Sequence, residues 1–290
     1  MRALVTSMVA LVVVLCGGTA DARPSGKALD RAEARVRKLL RSRGAAHRFH
    51  LVRRSPFVVI GDDSPARVKR RTERTVSFSI ERLKRLFDWK DPDRVLEIWL
   101  FKNERSYRKH TRLLLGDDPE TPFGYYSPGR RALVMNIGTG GGTLIHELVH
   151  PYIEHNFPGC PDWFNEGLGS LFEASEYRGP LIRGLTNWRL PGLKQAIRKG
   201  SLPSFRKLSK TTTAQFYGDD SGTNYAQARY LLYYLQERGL LVRYYKDFVR
   251  TRRADPTGYS ALVRVLGADG RDMARFQKSW EKWVLRLRWR

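Results

Sequence analysis

Three of the six histidines in this 290-residue chain fall between positions 146 and 155, and two of them, His146 and His150, flank the stretch Glu147-Leu148-Val149. On a helix, residues four apart leave the same face with Cβ atoms about 5–6 Å apart. Two imidazoles so placed can converge on one Zn²⁺ with bonds of about 2.0–2.1 Å. Glu147 stands one residue on, beside that face, where a carboxylate can take the proton of an attacking water. Apolar Leu144, Ile145, Leu148 and Val149 fill the rest of the segment, which predicts a rigid helix over 143–156. Paired histidines on a helix can also be ordinary packed side chains. The case therefore turns on a third ligand.

Glu166 supplies it. It lies sixteen residues after His150, in Asp162-Trp163-Phe164-Asn165-Glu166-Gly167-Leu168. A helix, a turn holding Pro158, Gly159 and Pro161, and a second helix over 163–174 would bring that carboxylate back to the histidines. Two histidines, one carboxylate and an open position make a catalytic rather than a closed structural zinc site. Glu154, one turn beyond His150, competes for the same place. Cys160, in its Pro-Gly-Cys-Pro turn, reads as a small buried thiol. The metzincin pattern is excluded, because Ile153 and Asn156 stand where that pattern needs glycine and a third histidine.

Elements on either side must position these residues. Ala28–Leu40 has the spacing of an N-terminal surface helix, and Phe57-Val58-Val59-Ile60 is a short β-branched run closed by Gly61-Asp62-Asp63. Ser64-Pro65 opens a helix with Val68, Thr72, Val76, Ile80, Leu83 and Phe87 on one face. A strand at 95–101, a helix at 104–115 and paired strands at 124–127 and 132–137 follow. From 138 onward the pattern is helix and loop, with helices at 143–156, 163–174, 193–199, 224–238, 240–252 and 271–286. The glycine-rich stretch 138–142 lacks the ending of a phosphate-binding loop and reads as a flexible lead-in to the helix at Thr143. This order is α+β. It divides into a helix and lead-in at 23–56, a sheet-rich part at 57–137 and a helical part at 138–290, with the candidate site at the junction. The strand 132–136 is expected to offer its edge to an extended substrate.

Composition is globular, with 41% hydrophobic and 11% aromatic residues. Met1-Arg2, an apolar run from Ala3 to Leu15, and the small residues up to Ala22 have the form of a secretory signal peptide cut after Ala22. The run is shorter than the roughly 20 residues a membrane-spanning helix needs, so no transmembrane segment is expected in the mature chain. A secreted or periplasmic protein follows. Lipidation at Cys16 is the rival, disfavoured by Leu15 before it. Without residues 1–22 only Cys160 remains, so no internal disulfide is expected. Net charge is +24, from 53 Lys and Arg against 29 Asp and Glu. That field suits an anionic surface, polymer or substrate, although no nucleic-acid-binding motif accompanies it.

The strings His146-Glu147-Leu148-Val149-His150 and Trp163-Phe164-Asn165-Glu166-Gly167-Leu168 resemble those of the gluzincin zinc metallopeptidases, the thermolysin-like superfamily. The likeness is strongest to small exported bacterial peptidase MA-like proteins, and extends from about Phe57 to Trp283. The resemblance implies a zincin-like fold and peptide-bond hydrolysis. It makes His146, His150 and Glu166 the zinc ligands and Glu147 the general base. By analogy with tyrosines in related sites, Tyr225 at the start of the helix 224–238 is the first candidate to donate to the oxyanion, ahead of Asn165 and Tyr217. One departure stands out. Those enzymes often carry an aspartate one turn after the ligand glutamate to orient a ligand histidine, and here that place is Ser170, leaving Glu173 or a backbone carbonyl for the task.

Overall fold

The computed structural model describes residues 23–218 and 220–289, and the stretch read as a signal peptide, with Cys16, lies outside them. Five strands form one sheet: β1 (His50–Arg54), β2 (Phe57–Gly61), β3 (Leu96–Phe101), β4 (Gly124–Ser127) and β5 (Ala132–Asn136). Their spatial order is β1-β2-β3-β5-β4. β2, β3 and β5 run parallel, and β1 and β4 close the two edges antiparallel. β5 is therefore an interior strand, paired on both sides. The expectation that 132–136 offers an edge is corrected: the edge is β4.

Alternation along the strands divides the core. Phe57, Val59, Leu96, Ile98, Leu100, Leu133 and Met135 face one way, into the larger core cluster. Val58, Ile60, Trp99, Phe101, Ala132 and Val134 face the other. Strands buried on both faces become continuous apolar runs. The second face is covered by helix α1 (Gly26–Ser42), which buries Ala32, Val36 and Leu40 against it. The N-terminal stretch is thus more than a surface helix and lead-in, since α1 and β1 complete the sheet layer.

Between β2 and β3 run α2 (Pro65–Arg71) and α3 (Phe78–Phe87), joined without a break by a π-helical segment, Thr72–Ser77. All six residues expected on one face there are buried. α4 (Glu104–His110) continues likewise into a π-helical turn, Thr111–Leu115.

Beyond β5 come α5 (Gly141–Asn156) and α6 (Asp162–Glu173), then a small antiparallel hairpin, β6 (Ser175–Arg178) and β7 (Leu181–Gly184). The remaining helices are α7 (Leu190–Arg198), α8 (Phe205–Ser209), α9 (Thr213–Phe216), α10 (Ser221–Glu237), α11 (Leu241–Thr251), α12 (Tyr259–Leu266) and α13 (Met273–Arg286). The α+β order holds, with a mixed sheet first and a helical half after it. The hairpin inside that half, and α8, α9 and α12, depart from the sequence expectation. Among the described residues no helix is long and apolar enough to cross a membrane.

Candidate metal centre

α5 leaves the sheet through Gly140, whose φ of 109° starts the helix abruptly. The glycines here are structural and not a loose lead-in. A Cβ at Gly142 would stand 2.1 Å from the backbone oxygen of Glu173, so only glycine lets the first turn of α5 meet the last turn of α6. α5 buries Leu144, Ile145, Leu148, Val149, Tyr152 and Ile153. Pro151 stands inside it and removes the backbone donor that would reach the carbonyl of Glu147. α6 is buried along most of its length. α10 crosses it at Gly167, where a Cβ would meet that of Ala228 at 3.1 Å.

This packing brings His146, His150 and Glu166 together, all buried, with one potential ligand atom from each within 4.8 Å of the others. His146 Nε2 lies 3.1 Å and His150 Nε2 3.9 Å from Glu166 Oε2. Ligands at tetrahedral corners of a zinc ion with the usual bond lengths are separated by about 3.3 Å, which those two distances bracket. Two imidazoles and a carboxylate, buried and convergent, can hold a metal ion. Glu147 stands beside them, its Oε2 3.8 Å from His150 Nε2. Glu154 does not join the group: its carboxylate accepts from the Tyr126 hydroxyl at 2.7 Å. Cys160 lies at the cleft margin with its thiol pushed well up by burial, outside the ligand group.

Electrostatics couple the three residues. Burial works against charge on His146, but the hydrogen bond to Glu166 and the charges of Glu147 and Glu166 outweigh it and lift its pKa to about 9. Burial likewise opposes ionisation of Glu166, yet His150, His146 and the Tyr217 hydroxyl bring it down to about 2. The site holds an ionised carboxylate whose charge retains a proton on a neighbouring ring.

The surrounding residues differ from expectation in three places. Asn165 has an orienting role, because its Oδ1 accepts from His150 Nδ1 at 3.0 Å and so turns Nε2 toward the group. Tyr217 donates to Glu166 Oε1 at 2.7 Å. Tyr225 is in the second turn of α10, not at its start, with its ring 6.2 Å from that of Tyr217. Burial first, and then the Glu166 carboxylate, raise both phenols far above their ordinary value.

Ser170 is fully buried with its hydroxyl unpartnered, and its carbonyl accepts from Arg229 Nε at 2.8 Å. Glu173 acts on His146 through charge alone; its Oε2 faces Arg189 at 3.5 Å. No side chain among the described residues bonds to Nδ1 of His146.

The group opens on a cleft of about 1360 Å³, lined by Phe123, by Gly124, Tyr125 and Tyr126 of the edge strand, and by Trp188 and Arg189. Sequence reasoning missed the orienting role of Asn165 and missed Arg189 altogether. Asn165 carried a signal, since it adjoins the ligand glutamate, whereas Arg189 lies in a loop that no motif marks. No protein-family model and no curated protein matches this chain.

Proposed function

We propose that the chain is an exported zinc-dependent peptidase of zincin-like fold. One observation carries the reading: His146, His150 and Glu166 converge in a buried group with Glu147 beside it, on the floor of a cleft edged by a free β-strand. Zinc held there would supply Lewis acidity toward a carbonyl and toward water. Glu147 takes the proton of the attacking water and returns it to the leaving amine. Asn165 fixes the tautomer and orientation of His150. The raised phenols stay protonated across the neutral range and can donate; Tyr217 does so to Glu166, and Tyr225, which lines the cleft close to the same carboxylate, would turn to the developing oxyanion. β4 pairs with an extended peptide and fixes its direction through the cleft.

Glu147→Gln tests this. Its zinc content by elemental analysis stays near stoichiometric, while hydrolysis of a proteome-derived peptide library falls by about 10²–10⁴-fold, the usual weight of a general base. Unchanged hydrolysis would refute the role of Glu147.

A second reading, a zincin-like protein that binds an anionic polymer and has little or no activity, is favoured by one feature of α1. Lys27, Arg31, Lys38 and Arg41 share its exposed face with no acidic partner among the described residues.

A further inference from the structure

We infer that Arg189 sets the specificity of this cleft by selecting peptides that carry a carboxylate close to the scissile bond. The inference rests on the peptidase reading and names its substrate class.

Despite the +24 chain, the cleft is mostly acidic. Among the described residues, its charged lining side chains, histidines aside, are Glu147, Glu154, Glu166 and Glu173 and a single cation, Arg189. Glu147 and Glu166 belong to the metal group, and Glu154 is occupied by Tyr126. Arg189 is held close to that group, its guanidinium 5.0 Å from the ring of Tyr225 and 4.2 Å from that of Trp188. Its side chain keeps 14% of its exposure.

The wall around it carries more cation than carboxylate. Glu173 is 3.5 Å from Arg189, well beyond the roughly 2.7–2.9 Å of a charge-assisted hydrogen bond. The same carboxylate also balances Arg229, which is wholly buried and bonded only to the backbone oxygens of Ser170, Leu171 and Leu185. Burial lowers Arg229 to about 10, so it remains a cation at neutral pH. Two guanidiniums thus share one carboxylate that hydrogen-bonds neither through Oε2, leaving Arg189 Nε, Arg229 Nη1 and Glu173 Oε2 unpartnered. Excess charge in a desolvated wall is costly until it is paired. A substrate carboxylate at Arg189 supplies the missing anion, and a fork of N–H groups is the geometry that receives it.

Trp188 and Arg189 also border a second groove of about 560 Å³, where Lys199 and Asp220 are the other charged lining residues among those described, beside Gln195 and Thr223. The chain therefore has room to continue past Arg189. The carboxylate can come from an aspartate or glutamate side chain, or from a C-terminus.

The test compares zinc-loaded wild type, Arg189→Gln and Arg189→Lys on matched peptides that differ only in Glu or Gln near the cleaved bond, each with a free or an amidated C-terminus. Wild type is expected to favour a carboxylate-bearing peptide by about 10–100-fold in kcat/KM. Arg189→Gln brings that ratio to about one, and Arg189→Lys retains part of it. Preference for Glu over Gln assigns the side chain as the source; preference for free over amidated ends assigns the terminus. Calorimetric binding of the same peptides to the Glu147→Gln protein is expected to show the same order without turnover. Equal handling of all four peptides by wild type, or a preference that survives in a folded, zinc-replete Arg189→Gln, overturns the assignment and leaves the peptidase standing. If wild type cuts no peptide at all, both readings fall together.

Discussion

Glu166 is engaged at both oxygens, Oε2 toward the two imidazoles and Oε1 by the Tyr217 hydroxyl. In the metal-free protein this carboxylate keeps a proton on His146, whose pKa stands at about 9 against an ordinary 6.5. The ring is therefore protonated at pH 7 and must be neutral to bind metal. Zinc binding at pH 7 is expected to release protons, and apparent affinity to fall as the pH drops from 8 to 6. Zinc titrations in two buffers of different ionisation heat, at pH 6, 7 and 8, read both effects, and an affinity that does not change with pH would contradict the coupling. The convergence of His146, His150 and Glu166 was legible because ligand type and helical spacing are local properties. Asn165, Tyr217 and Arg189 were less so, since their roles depend on how α6, the segment after α9 and the loop after β7 meet around the group.

At the level of elements, α5, α6 and α10 could be read from periodicity, within a few residues at their ends. β1 could not, because His50–Arg54 ends in two arginines and has no apolar run. The β6–β7 hairpin has four-residue strands that are half exposed, and α8 and α9 are too short to show a period. The π-helical segments at 72–77 and 111–115 keep an apolar stripe, so the sequence reads straight through them. Gly169 shows what the α5–α6 contact demands. A Cβ there would stand 3.1 Å from Cδ2 and from Nε2 of His146, displacing the ligand ring itself. Gly169→Ala is expected to lower zinc affinity by about 10–100-fold, as disturbed ligand orientation does. Its effect on the fold should be small, because helix propensity favours alanine by up to about 1 kcal/mol. Gly192→Ala, in α7 with nothing within 4 Å, is the control. Equal zinc affinity in the two variants would show that the contact yields without moving the ring.

For the molecule as a whole, the distribution of charge matters more than its sum. The cleft gathers carboxylates while α1 turns Lys27, Arg31, Lys38 and Arg41 outward along about 21 Å of helix. Like charges three and four residues apart weaken a helix slightly, so the stripe has no stabilising role within the fold. If it serves a polyanion, the four-site reversal to glutamate weakens binding to inorganic polyphosphate more than about tenfold at low salt and leaves the melting temperature within a few degrees. Wild-type binding should itself fade as added salt shortens the screening length. Reversal without effect on binding would assign the stripe to solubility alone. The candidate metal ligands carry a further consequence for how the molecule assembles. They and Asn165 come from one stretch, residues 146–166, whereas Arg189, Tyr217 and Tyr225 arrive from much later in the chain. Closing a short loop costs little chain entropy and can happen early, before the long-range pairings of the parallel sheet. The candidate metal group is thus expected to form as a local event in folding and the cleft wall around it as a late one, so damage beyond α6 should disturb Arg189, Tyr217 and Tyr225 before it disturbs His146, His150 and Glu166.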